Sequence, residues 1–158
     1  MASAALARDG LADALMGLVR ELHPICRSLT GDGVRHTLAA IRRFAPLEIR
    51  EVPSGTRVFD WTVPDEWNVR DAWIVDAAGR RVVDFRRSNL HVVSYSEPVR
   101  RRVPRAELLH HVHALPEHPD WIPYRTSYYS ETWGFCLTHN QLSALEDGEY
   151  EVCIDSTL

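Results

Sequence analysis

The chain has 158 residues, 45% of them hydrophobic and 25% charged, as expected for one ordinary globular domain with its own core. Its formal net charge of −4 gives no global support for nucleic-acid binding, and no stretch approaches the roughly 18 apolar residues of a membrane span. Three widely spaced cysteines, Cys26, Cys136 and Cys153, indicate reduced thiols. These features predict a cytoplasmic protein with neither a nucleic-acid nor a membrane partner.

Two amphipathic helices are predicted in the first third of the chain. Apolar residues recur at helical spacing over residues 11–22. A loop over residues 24–33 follows, and either Thr30 or Asp32 can cap the second helix, which is expected over residues 34–46.

Strands are predicted from residue 47 onward, where the apolar period changes to two. Residues 47–52 and 58–63 are each expected to form one strand, separated by a turn. Residues 72–85 contain the clearest hairpin signal, because two apolar runs flank a turn in which Gly79 can adopt a positive φ.

Strands and two short helices are predicted in the second half. Residues 89–96 are expected to form a strand on which His91 faces a polar surface or a cleft. Residues 103–115 are predicted as a short helix, and residues 138–141 have the pattern of a capping box. A final strand covers residues 150–155. This order of elements predicts an α+β fold.

Histidines and the first loop offer two candidate sites. His110, His111 and His113 are close in sequence, but no carboxylate or cysteine has a convincing third-ligand spacing, so a solvated helix face fits better than a zinc site. The loop at 24–33 carries Arg27, hydroxyl groups and two glycines before a helix, an arrangement that can receive an anion. A tight helix–helix connection explains the same loop more simply.

Aromatic residues crowd into fifteen positions near the C-terminus. Trp121 and Phe135 are predicted to lie in the core. For Tyr128, Tyr129 and Trp133 the sequence leaves two possibilities open, since aromatic side chains in a loop can fill a core or line a ligand pocket.

Five blocks of the sequence together resemble one family. They are HPICRSLTGDGVRHTL, VPSGTRVFDWTVPDEWNVRDAWI, SNLHVVSYSEPV, LPEHPDWIPYRTSYYSETWGFCLTHNQ and DGEYEVCIDSTL, in family-like order and spacing. The family comprises the aminopeptidase-like bacterial proteins, relatives of the co-catalytic zinc aminopeptidases, which carry a β-rich domain of unknown function near the N-terminus.

The resemblance implies a domain organisation. Residues 1–60 would supply the helices and first strand of a truncated α/β peptidase domain, and residues 61–147 a mainly antiparallel β-rich inserted domain. Residues 148–158 would form a strand that returns to the peptidase-like domain. In the family the metal-binding His, Asp and Glu residues come after the counterpart of Leu158. The resemblance therefore assigns no catalytic or metal-binding residue here, and zinc is expected only in the complete family protein.

Two function classes follow from the resemblance. In the first, the chain is the N-terminal portion of a hydrolase that cleaves a peptide or amide, with Tyr128, Tyr129 and Trp133 facing the substrate cleft and Arg27 beside it. In the second, it is a free-standing non-catalytic binding or assembly module. If the covering peptidase layer is missing, the apolar faces of helix 34–44 and strand 150–154 would be exposed and would favour self-association.

Overall fold

The computed structural model of the protein describes residues 8–128 and 130–158. Two helices, α1 (Arg8–Leu22) and α2 (Asp32–Ile41), precede a β-rich region. The strands are β1 (Arg57–Val58), β2 (Trp61–Thr62), β3 (Asn68–Val75), β4 (Arg81–Asp84), β5 (Val99–Pro104), β6 (Val112–His113), β7 (Phe135–Cys136) and β8 (Glu149–Thr157). Two short helices, α3 (Arg105–Leu108) and α4 (His139–Ser143), lie between strands. This mixture of helices and mostly antiparallel strands confirms the predicted α+β class.

The main sheet has four antiparallel strands in the order β4-β3-β8-β5. Directly opposed residues share a face, so Val83, Ile74 and Val152 form one continuous apolar row across three strands. Phe135, Leu108 and Leu137 are fully buried in the same cluster. The other face carries ion pairs such as Arg70–Asp155.

The predicted hairpin at residues 72–85 is confirmed. Strands β3 and β4 pair in antiparallel register, and Gly79 has φ 78 in the turn between them. The Asp76 carboxylate accepts hydrogen bonds from the backbone N–H groups of Ala78 and Arg80, at 3.0 and 2.9 Å. A local sequence signal is sufficient here because the turn makes its own hydrogen bonds.

Three predicted strands differ from the structure. Residues 47–52 form no strand: no strand among the described residues pairs with them, and Ile49 and Val52 are exposed. Residues 58–63 instead belong to a tight hairpin of β1 and β2, in which Phe59 has φ 54. Residues 89–96 begin with a 3-10 helix and then make only isolated bridges. Alternation of apolar and polar residues did not predict these strands correctly, because a strand also needs a neighbouring strand to pair with.

One predicted helix cap is confirmed and another is wrong. Thr138 and Gln141 form the predicted capping box at α4. At α2 the N-cap is Gly31 and makes no side-chain cap bond, so the assignment of Thr30 or Asp32 as the cap was wrong. The helix predicted over residues 103–115 is shorter: it passes through α3 and a 3-10 turn, and then enters β6.

Strand β8 occupies the centre of the main sheet. It lies between β3 and β5 and is mostly buried from Tyr150 to Ile154, so the expected exposure of this strand is wrong. The predicted boundary at residue 147 therefore does not separate β8 from the β-rich unit. The wider division of a complete protein into a peptidase domain and an insertion stays a prediction. None of the helices in the described ranges is long and apolar enough to cross a membrane.

Candidate functional site

A hydroxyl group holds the first loop against the β-rich unit. The Thr30 hydroxyl lies 2.8 Å from the Tyr95 hydroxyl and accepts the backbone N–H of Trp67 at 3.1 Å. Tyr95 is buried and has φ 66, a left-handed backbone conformation that costs free energy for a bulky residue. The rotated backbone places the Tyr95 ring beside the loop.

Gly31 allows the loop to touch the start of β3. Its φ is 93, and a Cβ atom at this position would overlap the Trp67 carbonyl oxygen. The neighbouring Asp32 N–H donates to the Asn68 side-chain oxygen at 2.8 Å. The glycine that sequence analysis placed in a helix connection is therefore required for close backbone approach.

A row of four aromatic rings extends from this contact. Trp67 stacks on Tyr95 with ring centroids 5.9 Å apart, and Tyr128 meets Tyr95 edge to face at 5.3 Å. Trp61 follows, 6.3 Å from Tyr128. Such offset and edge-to-face pairs hold each other's orientation, so the outer rings form a defined wall.

The aromatic wall borders an open groove of about 910 Å³. Tyr124 also lines this groove and is 64% exposed, so it is accessible to a ligand. We call this feature the aromatic groove; its lining is Arg27, Ser28, Leu29, Trp61, Tyr124, Thr126 and Tyr128. No Asp or Glu is present in that lining.

Arg27 has a structural contact and remains exposed. Its guanidinium donates to the Leu22 carbonyl at 2.8 Å, which satisfies an open carbonyl at the end of α1, and lies 3.4 Å from the Thr37 hydroxyl. Within the described residues it forms no ion pair with a carboxylate. The remaining N–H groups of this side chain can donate to a ligand in the groove.

The structure brings together two of the four predicted site residues. Arg27 and Tyr128 line the same groove. Trp133 lies elsewhere: its ring stacks on His111 at 3.7 Å, and the Arg101 guanidinium lies 5.3 Å from its centroid. Tyr129 lies outside the described residues.

The sequence pattern did not single out the other aromatic residues of the groove, Trp61 and Tyr124. Trp61 lies within the strand predicted at residues 58–63, and Tyr124 lies within the aromatic segment, where no role was predicted for it. Phe135 is buried as predicted, whereas Trp121, also expected in the core, is 62% exposed and stacks on His118. The density of aromatic residues was a usable signal, but it did not indicate which rings face solvent.

The histidines and cysteines do not form a metal site. Among the described residues no group of three or more His, Cys, Asp or Glu side chains could hold a metal ion, so this part of the chain does not fit zinc. His91, expected at a surface or cleft, is buried, and its Nδ1 lies 2.7 Å from the Cys136 carbonyl oxygen. Burial raises the pKa of the Cys26 and Cys136 thiols to about 11, so both are neutral at pH 7.

Comparison with known proteins gives consistent matches. A protein of Clostridium acetobutylicum named "Putative polysaccharide biosynthesis protein with aminopeptidase-like domain" is 54% identical over 144 residues, covering 91% of this chain and 33% of the relative. A crystal structure titled "putative peptidase", from the same organism, has a TM-score of 0.91 and 52% identity, covering 94% of this chain and 35% of that protein. The chain therefore spans about a third of the length of these relatives.

These names confirm the resemblance to aminopeptidase-like proteins with a domain of unknown function. The family described as domain of unknown function DUF2172 matches residues 66–157. That segment runs from just before β3 to the end of β8 and includes the whole main sheet. The chain belongs to the DUF2172 family.

Proposed function

We propose that this chain is part of an aminopeptidase-like hydrolase in which the aromatic groove forms one wall of the substrate-binding cleft. The observation that carries the proposal is that Arg27 lines the same groove as Trp61, Tyr124 and Tyr128. The groove volume of about 910 Å³ is within the range of small-molecule sites. The similarity to proteins named as peptidase and aminopeptidase-like supports the reaction class.

The groove has the chemistry for a ligand with a ring and a polar head. Exposed aromatic faces hold apolar or cyclic groups, and the tyrosine hydroxyls can hydrogen-bond to their polar edges. A guanidinium orients a carboxylate or a carbonyl oxygen. The name of the relative includes polysaccharide biosynthesis, which makes a sugar ring one candidate for the cyclic group. The substrate proposed for the complete protein is therefore a small peptide or amide that carries such a ring.

Zinc belongs to the proposal only for the complete protein. Because the described residues do not fit a zinc ion, any metal would be held by residues outside the described ranges. The role of this chain is then to position the substrate. We expect the 158 residues alone to hold no stoichiometric zinc after dialysis and to cleave no aminoacyl chromogenic substrate. Tightly bound zinc together with turnover would contradict that division of roles.

The test of the groove is substitution of the residue that matches Tyr124 by alanine in the full-length relative. We expect kcat/KM to fall about tenfold, equivalent to about 1.4 kcal/mol of transition-state stabilisation. The melting temperature should change little because Tyr124 is 64% exposed.

Trp121 provides the matched control, since it is 62% exposed and does not line the aromatic groove. Alanine at the position that matches Trp121 should leave kcat/KM within about twofold, a change worth less than about 0.5 kcal/mol. Equal kinetic losses for the two variants, or a loss of stability alone, would show that the groove does not bind substrate.

A free-standing binding module is the second candidate, and one feature favours it. Strand β8 completes the main sheet within the chain, and the outer face of the sheet carries ion pairs such as Arg70–Asp155. The two inner strands of this sheet, β3 and β8, are both paired with strands of the same chain. If the full-length relative shows no hydrolysis of peptides or amides, while Tyr124→Ala in this chain weakens ligand binding, the binding module replaces the hydrolase proposal.

A further inference from the structure

We propose that a second cavity, adjoining the aromatic groove, binds the oxyanion of a small ligand, either a phosphate or a carboxylate. The cavity lies between residues 23–27 of the first loop and residues 85–90 after β4. Its volume of about 480 Å³ suits a small anionic group together with part of the molecule that carries it. We call it the arginine cavity.

The lining of the arginine cavity is positively charged. Three arginines, Arg27, Arg86 and Arg87, are among its lining residues, whereas the lining contains no Asp or Glu. The whole chain has a net charge of −4, so this concentration of positive charge is local. Guanidinium groups bind carboxylate and phosphate oxygens in a two-point geometry, which selects oxyanions over neutral ligands.

Nearby carboxylates do not neutralise all of these groups. The Arg86 guanidinium lies 2.9 Å from Asp71, which occupies it in part. Arg27 and Arg87 form no ion pair with any carboxylate in the part of the chain that the structure describes. Arg87 and the Arg27 N–H groups that do not bond Leu22 and Thr37 therefore have no carboxylate partner among the described residues. The neutral Cys26 thiol in the same wall adds no negative charge.

The turn that carries Arg87 is held in place by hydrogen bonds. The Arg87 N–H donates to the Asp84 carbonyl at 3.0 Å, and the Arg86 N–H donates to the Asp84 carboxylate at 3.0 Å. The Asn89 side-chain amide donates to the His23 carbonyl at 3.3 Å and links this turn to the first loop. A backbone anchored on both sides reduces the entropy lost when an anion binds.

The arginine cavity shares two lining residues, Arg27 and Tyr124, with the aromatic groove. A single ligand can place its ring against the aromatic wall and its oxyanion among the guanidinium groups. The inference therefore deepens the proposed function, because it makes the substrate an anionic one. Only the identification of the ligand as the substrate rests on the proposed function; binding of the anion itself does not.

The experiment is isothermal titration of the chain with inorganic phosphate and, separately, with glucuronate. The two titrants distinguish a phosphate site from a carboxylate site, and saturable binding of either one supports the proposal. We expect Arg87→Gln to weaken that binding at least fivefold. Arg87→Lys should have an intermediate effect, because it keeps the charge and loses the two-point geometry.

Arg102 supplies the matched control. It is an exposed arginine on β5, at the opposite edge of the sheet from β4, and Arg102→Gln removes the same charge. The dissociation constant of the Arg102→Gln variant for the anion should stay within twofold of the parent value at the same salt concentration. Equal weakening by Arg87→Gln and Arg102→Gln, or absence of saturable binding of both titrants, would overturn the proposal.

The outcomes for the two proposals are separable. Loss of kcat/KM at the Tyr124 position without anion binding by the chain would retain the hydrolase cleft and reject the arginine cavity. Saturable anion binding that depends on Arg87, with no kinetic effect at the Tyr124 position, would retain the cavity and reject the groove as the substrate wall.

Discussion

At the scale of single residues, buried hydrogen bonds hold the backbone that supports the aromatic groove. The Ser96 carbonyl accepts the Trp67 indole N–H at 2.9 Å and the Ser156 hydroxyl at 2.8 Å. The buried Ser96 hydroxyl donates to the Val93 carbonyl at 2.6 Å. These bonds lie on both sides of Tyr95 in the chain. Breaking any of them would leave a buried polar group without a hydrogen bond, so together they hold Tyr95 in its left-handed conformation.

His91 makes a pH-dependent contribution to stability. Burial lowers its pKa, and this outweighs the opposing effects of the Cys136 carbonyl and Asp84. In the unfolded chain a histidine takes up a proton near pH 6.5, while folded His91 stays neutral to lower pH. The free energy of unfolding should therefore fall as pH decreases below about 6.5.

Urea unfolding between pH 8 and pH 5 measures this effect. His91→Gln should flatten the decrease below pH 6.5. His113 contributes in the same window, because burial, Arg125 and His111 lower its pKa. The single His113→Gln variant and the double variant separate the two contributions. If the free energy of unfolding of His91→Gln depends on pH as strongly as that of the parent, burial of His91 does not account for the decrease.

At the scale of elements, the β3–β4 hairpin depends on one glycine. Gly79 has φ 78, and a Cβ atom there would meet nothing within 4 Å, so alanine would add backbone strain without a steric clash. We expect Gly79→Ala to lower the free energy of unfolding by about 1–2 kcal/mol. Urea unfolding measures this change. If the dependence of the free energy of unfolding on urea concentration stays the same, the substitution has lowered stability alone.

At Gly17 the same substitution is expected to have the opposite effect on stability. It lies within α1, and a Cβ atom there would also meet nothing within 4 Å. Gly17→Ala should raise the free energy of unfolding by up to about 1 kcal/mol, because alanine has the higher helix propensity. Effects of the same sign at both positions would contradict the explanation from backbone conformation.

At the scale of the whole molecule, α1 presents an apolar face to solvent. Leu15 and Val19 lie one helical turn apart and are 54% and 53% exposed. Leu11 and Met16 are exposed on the same helix. Burial of this surface between two copies would be favourable, so we expect the chain to self-associate at moderate concentration.

Sedimentation equilibrium tests the association. The double variant Leu15→Gln, Val19→Gln should shift the chain towards monomer, because it removes apolar area from the contact. Val52→Gln is the control, since Val52 is 56% exposed on a segment outside the helices. A monomeric parent chain, or equal effects of the helix and control variants, would show that α1 does not mediate self-association.

Local signals in the sequence were sufficient for several elements. The hairpin around Gly79 and the capping box at Thr138 are present as predicted. Both N-terminal helices are present too, although α2 ends at Ile41 rather than near residue 46. Each depends on residues within a few positions of one another, so its hydrogen bonds and side-chain pattern are encoded in one short segment. The resemblance to aminopeptidase-like proteins was also carried by the sequence alone.

Contacts distant in sequence decided the rest. Strand β8 pairs with β3 and β5, and apolar residues such as Ile74 and Val152 oppose each other in the register. Residues 47–52 have the same alternation but no strand partner in the described ranges. Tyr128 was placed beside Arg27, but Trp133 was turned towards His111. Periodicity and composition describe one segment at a time, and only tertiary packing determines which segments meet and which aromatic rings remain open to a ligand.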